Sequence, residues 1–175
     1  MRSTHDYARI ERERRFLLAS FPSDAKVVRV RRIVDHYIEG GGLRLRRQSD
    51  DGGSIQFKLT QKVPARSTGY QQGFITTMYL SGEEYDLFAQ LPATVLQKTR
   101  YSIPPFGIDV FEGPLERLIL AEAEFDSAED AEALTIPAFI SREVTGDDRF
   151  TGGRLIHASR EEIRAWLLEY RLDQD

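Results

Sequence analysis

The stretch Leu43–Lys62, LRLRRQSDDGGSIQFKLTQK, decides the architecture. Leu43 and Leu45 alternate with Arg44 and Arg46. Beyond Asp50-Asp51-Gly52-Gly53, Phe57 and Leu59 are set against Lys58 and Lys62. Successive strand side chains point to opposite faces, so this period of two predicts strands over Gly42–Gln48 and Ser54–Val63. So short a link makes them an antiparallel hairpin, because parallel neighbours need long crossovers. Each strand then has one apolar and one basic face.

The same period predicts strands over Tyr7–Leu18, Lys26–Ile38, Tyr70–Leu80, Thr94–Ile103, Gly107–Phe111 and Leu115–Phe125. Turn residues separate them at Gly40-Gly41-Gly42, Pro104-Pro105-Phe106-Gly107 and Glu112-Gly113-Pro114. Three segments switch to the helical period. Ser81-Gly82-Glu83-Glu84 reads as a capping box ahead of Tyr85, Phe88 and Leu91; Ser127 with Asp130 opens a short helix bounded by Pro137. Ser159-Arg160-Glu161-Glu162 opens a helix with Ile163, Trp166, Leu167 and Tyr170 as its apolar stripe. These elements predict an α+β fold: one antiparallel sheet curled towards a barrel, with helices packed outside it, in a single domain spanning residues 1–175.

Composition narrows the function. With 175 residues, 41% hydrophobic and 30% charged, the chain can bury a core, which excludes wholesale disorder. No apolar run approaches the ~18 residues of a transmembrane helix, and the charged first twenty residues predict no signal peptide. The absence of cysteine excludes thiolate chemistry and disulfides. A net charge of −4 argues against nucleic acid as a partner. A soluble cytoplasmic domain without a membrane or nucleic-acid partner is the expectation.

Charge within the strands points further. Glu11, Glu13 and Arg15 share one face, as do Arg44 with Arg46, Lys58 with Lys62, Lys98 with Arg100, Asp109 with Phe111, and Glu122 with Glu124. A single such pair is an ordinary solvated face. Six strands charged on one side, in a chain whose apolar-striped helices need a sheet face to cover, put the charges inside. That lining carries seven bases against five acids within an acidic protein. A basic interior calls for an anion, and the carboxylate pairs call for a hard divalent cation such as Mg²⁺ or Mn²⁺. Bases for phosphate oxygens together with carboxylates for a bridging metal are the equipment of phosphoryl transfer.

At these residues the chain resembles the CYTH superfamily, the triphosphate tunnel metalloenzymes, which includes inorganic triphosphatases, thiamine triphosphatases and class IV adenylate cyclases. Glu11-Arg12-Glu13-Arg14-Arg15 looks like its N-terminal Glu-x-Glu-x-Lys signature. LRLR at 43–46, KLTQK at 58–62, KTRY at 98–101, DVF at 109–111, EAEF at 122–125 and EVTGDDRF at 143–150 follow in order, so the resemblance spans residues 7–158. It implies an antiparallel barrel of eight strands whose tunnel holds a triphosphate-containing small molecule. It implies divalent metal at Glu11, Glu13, Glu122 and Glu124, and phosphate oxygens at Arg44, Arg46, Lys58, Lys62, Lys98 and Arg100. The catalytic set it implies is Arg15, Lys62 and Asp109, the last assisting at the metal or orienting a base.

Two departures stand out. Arg15 replaces the usual Lys; it keeps the positive charge for phosphate but cannot accept a proton, its pKa lying above ~12. The family often has an Arg and then Glu-x-Glu on the strand after KLTxK. Here Arg66–Thr77 contains no acid, which makes the tunnel more basic. The leading reading is a metal-dependent triphosphatase acting on tripolyphosphate or an organic triphosphate. The alternatives are a tunnel that binds polyphosphate or nucleotide without turnover, and a class IV adenylate cyclase. Elsewhere, His5, His36 and His157 have no shared-ligand spacing, Arg29 and Arg31 read as a solvated strand face, Glu143 is either a tunnel acid or a structural ion pair, and Trp166 reads as core.

Overall fold

The computed structural model describes residues 7–65 and 71–172. Its wall is built from β1 (Arg9–Leu17), β2 (Arg29–Ile38), β3 (Leu43–Asp50), β4 (Ile55–Ala65), β5 (Gln71–Leu80), β6 (Ala93–Ile103), β7 (Phe106–Phe111) and β8 (Ile119–Phe125). Neighbours follow the order β5-β4-β3-β2-β6-β7-β8-β1, and a further β5–β1 pairing closes the ring. Every pairing is antiparallel. Closure removes the open edge that would otherwise invite another chain.

β1 holds the barrel together along both sides. One side pairs with β8 over Arg12–Leu17. The other pairs with β5 over Arg9–Glu13 and then, at Phe16 and Leu17, with the two-residue strand β9 (Arg142–Glu143). The expected hairpin is present: Arg46 faces Lys58 across β3 and β4, and Gly53 turns the chain at φ +82°, where a Cβ would be strained. β8 starts later than expected, because Gly113–Leu115 forms a 3₁₀ turn whose Pro114 cannot donate to a ladder.

The helices are α1 (Gly82–Phe88), α2 (Ala128–Glu132), α3 (Gly152–Leu155) and α4 (Arg160–Glu169). Capping boxes at Ser81 and Ser159 start α1 and α4, and the Ser127 hydroxyl accepts from the Asp130 amide at α2. α1 packs outside the barrel, with Tyr85 against Leu45 and Leu59. The segment after α2 covers a second outer patch, with Phe139 and Ile140 against Phe16, Phe106 and Ile108.

α4 differs from its neighbours. Strand parity puts Leu17, Leu96, Phe111 and Leu120 on the same inner face as the charged residues, and they cluster with Phe150, Leu155, Ile163 and Leu167. The C-terminal segment therefore stoppers one end of the barrel, because an apolar rung at that end offers its stripe a dry surface. Trp166 packs against this cluster. Among the described residues no helix is long and apolar enough to cross a membrane.

Candidate active site

The inner faces enclose a cavity of ≈ 1030 Å³. Glu11, Glu13, Arg15, Arg44, Arg46, Lys58, Lys62, Lys98, Arg100, Glu122 and Glu124 all line it. Asp109 lies behind this wall, fully buried, and accepts from Lys98 and from both Nε and Nη2 of Arg100. It fixes where those two bases point. β5 contributes Gly73, Ile75, Thr77 and Tyr79, so its described inner face carries no acid, in line with the sequence. Arg66–Tyr70 and His5 lie outside the described residues.

The acids and bases form local sets. Lys62 Nζ is 2.6 Å from Glu11 and 3.7 Å from Glu13. Arg100 bridges Asp109 and Glu122. Glu124 is half exposed at the rim, with Arg9 3.9 Å away. Arg15, 2% exposed, approaches Glu13 only to 3.4 Å, and its Nε and Nη1 have no hydrogen-bond partner. A guanidinium buried in a cavity wall with unmet donors is prepared for an anion.

Electrostatics separates the groups. Burial, then Glu122 and Glu11, push the Glu13 carboxyl up, with Lys62 opposing. Glu122 goes the other way: against burial, Arg100 and then Lys98 hold it well below the usual carboxylate range. Burial lowers Lys98, with Asp109 resisting and Arg100 adding to the fall. Against burial, Glu13 and then Glu11 raise Lys62. Burial thus eases Lys98 towards giving up its proton, whereas the carboxylates beside Lys62 hold its charge in place.

Several lining and supporting groups were not signalled by charged pairs. Asp35 is fully buried and accepts from Arg46 at 2.6 and 2.7 Å, with Arg44 Nε 3.7 Å away. Tyr37 lines the cavity, and a Cβ on Gly152 would stand 1.9 Å from its hydroxyl, so only glycine fits there. Asp35 and Tyr37 alternate with Val34 and His36, a signal hidden because a lone acid on a strand is commonplace. Arg31 is not on a solvated face as expected: it sits opposite Arg100 on the inner side, since β2 pairs with β6 in that register. His157 borders the cavity, and Glu143 binds Arg14 at 2.6 and 2.9 Å as a structural pair.

No protein-family model matches the chain. It is 34% identical over 155 residues to the inorganic triphosphatase of Nitrosomonas europaea (strain ATCC 19718), across 80% of this chain and 92% of that protein. The chain belongs to the triphosphate tunnel family, CYTH. The crystal structure of an inorganic triphosphatase superposes with a TM-score of 0.55 at 27% identity, covering 85% of this chain and 95% of that one. A crystal structure described as a hypothetical protein gives 0.55 at 28%, covering 85% and 99%. The CYTH resemblance of the sequence and the closed barrel agree.

Proposed function

We propose that the chain is a divalent-metal-dependent hydrolase that cleaves a phosphoric anhydride of tripolyphosphate inside the barrel, in the cytoplasm. The observation that carries this reading is Arg15, buried at the cavity wall with two unpaired donors among Arg44, Arg46, Lys58 and Arg100. A polyphosphate supplies the dense negative charge such a wall lacks, and burial makes each contact stronger than in water.

The donor chemistry fits a hard cation. Burial, with Glu122 and Glu11 close by, makes the Glu13 charge costly, which a cation would relieve. Among the described residues no three His, Asp or Glu side chains already converge as a metal centre, because Lys62 and Arg100 hold these carboxylates. Phosphate would draw those bases onto its own oxygens and release the acids. Glu11, Glu13, Glu122 and Glu124 would hold Mg²⁺ or Mn²⁺, which when bound neutralises charge on the anhydride and its leaving group.

The chain's own residues do the rest. Arg15, Arg44, Arg46, Lys58 and Arg100 fix the phosphoryl groups in line, as phosphoryl transfer requires. Lys62 joins them, and in turning to phosphate would free Glu11 and Glu13. Lys98, lowered by burial and oriented by Asp109, can take a proton from the attacking water, a step closed to Arg15.

The test is phosphate release from tripolyphosphate with Mg²⁺ or Mn²⁺, beside Glu122→Gln. Release that falls by roughly 10²-fold or more in the variant supports the reading. No release by the native protein, with tripolyphosphate still raising Tm, would leave a binding tunnel instead.

A further inference from the structure

A second cavity of ≈ 220 Å³ adjoins the first, lined chiefly by Arg29, Arg31, Gln48, Asp50, Gln56 and Lys58. Lys58 belongs to both cavities. Across β3 and β4, Arg46 faces Lys58 and the next inner pair is Gln48 with Gln56. The second cavity is therefore one inner-face step along the barrel, about 7 Å, at the end away from the apolar stopper.

Its charge is not balanced. Asp50 is its acid, and that carboxylate is taken by Arg29 at 2.7 Å and by the Ser54 amide at 2.8 Å. Arg31 gives Nη2 to the Ser102 hydroxyl at 2.9 Å, while its Nε is buried without a partner. Lys58 lies over the Tyr79 ring at 5.2 Å and forms no ion pair among the described residues. Burial, and then neighbouring arginines, make both charges harder to keep: Arg100 and Arg29 act on Arg31, and Arg46 and Arg31 on Lys58. Two cations, a buried N–H without acceptor and a space fit for one small polyanionic group require a ligand that is compact and strongly negative.

We propose that this pocket is an outer phosphate subsite of the tunnel, in which Arg31 and Lys58 hold one phosphate beyond those in the main cavity. Two sources share that chemistry: the next unit of a longer linear polyphosphate, and free orthophosphate. The inference rests on the triphosphate reading of the main cavity. With the outer subsite, the tunnel would discriminate by chain length, because Arg31 and Lys58 would hold a phosphate beyond those that the main cavity takes.

The experiment is calorimetric titration in EDTA of tripolyphosphate, linear tetraphosphate and orthophosphate, each into the native protein, Arg31→Gln, Arg31→Lys and Arg32→Gln. Arg32 is exposed on the other face of β2 and serves as the control. The native protein should bind tetraphosphate about tenfold tighter than tripolyphosphate, the size of one charge-assisted hydrogen bond. That ratio should fall to about one in Arg31→Gln, recover in part in Arg31→Lys and persist in Arg32→Gln. If free orthophosphate is the occupant, the ratio stays near one throughout, and orthophosphate binds tripolyphosphate-loaded protein in an Arg31-dependent way. The inference is overturned if neither the ratio nor orthophosphate binding changes in Arg31→Gln. Binding as expected without hydrolysis in the presence of metal would sink the enzymatic reading alone, and native protein that binds neither chain would sink both.

Discussion

Asp35 and Asp109 are both fully buried, each behind two bases of the cavity wall, yet the regions they organise respond differently to protons. Asp35 on β2 is flanked by two arginines: Arg46 donates to it through Nε and Nη2, and Arg44 stands 3.7 Å off. Asp109 on β7 holds a lysine and an arginine, and Arg100 is shared with Glu122. The first arrangement makes a patch whose charge is fixed at any working pH. The second contains a lysine that burial pushes towards neutrality. One device, an aspartate under two bases, leaves a fixed positive charge on one side and a lysine that burial eases towards neutrality on the other.

Removing the two aspartates should separate these roles most strongly. Asp35→Asn leaves Arg46 buried with no acid against it, so urea unfolding should show a loss of about 3–5 kcal/mol. Asp109→Asn leaves Arg100 its bond to Glu122, and the loss should be nearer ~1–3 kcal/mol. Equal losses would break the comparison.

Next in size is Lys98→Arg, which keeps the charge but cannot release a proton. Phosphate release should drop by roughly 10²-fold, with a flattened dependence on pH. Native activity at every pH would remove Lys98 from any proton transfer.

Acid unfolding sharpens the fixed-charge side. The folded pKa of Asp35 lies below its ordinary value, because Arg46 and Arg44 outweigh the opposing effect of burial. Its contribution is therefore complete above about pH 4 and is lost as the pH falls towards the folded value. Tm measured from pH 5 to pH 2 should decline steeply in the native protein and less steeply in Asp35→Asn. Parallel slopes would mean that other carboxylates govern acid unfolding.

The smallest effect belongs to the barrel's outside. Arg14 and Glu143 form a partly exposed pair that ties β9 to β1, and Arg14→Ala should lower stability by about 1 kcal/mol without changing phosphate release. A loss of activity would show that the inner wall depends on that outer seam.

Most of the wall was legible from alternation. Arg44 and Arg46 had to share a face once the strand did, and apolar residues on the opposite parity had to meet the helices. Capping boxes marked α1 and α4 by local hydrogen bonding alone. α3 escaped notice because four residues in Thr151-Gly152-Gly153-Arg154-Leu155 carry no amphipathic period. Arg31 was misplaced because its inward orientation depends on how β2 sits against β6, and periodicity cannot distinguish the inner face of a closed sheet from a solvated one.

The sequence by itself determined the eight barrel strands, which residues of a strand share a face, the family and eleven charged groups of the cavity lining, because side-chain alternation in a strand is a local property. The tertiary structure alone decided which charges neutralise which. Asp35 beneath Arg46, Asp109 beneath Lys98 and Arg100, the unpaired donors of Arg15 and Arg31, and the apolar stopper across Leu17, Leu96, Phe111 and Leu120 all follow from cross-strand register and barrel closure. Those are properties of neighbouring strands, and no single strand's sequence contains them.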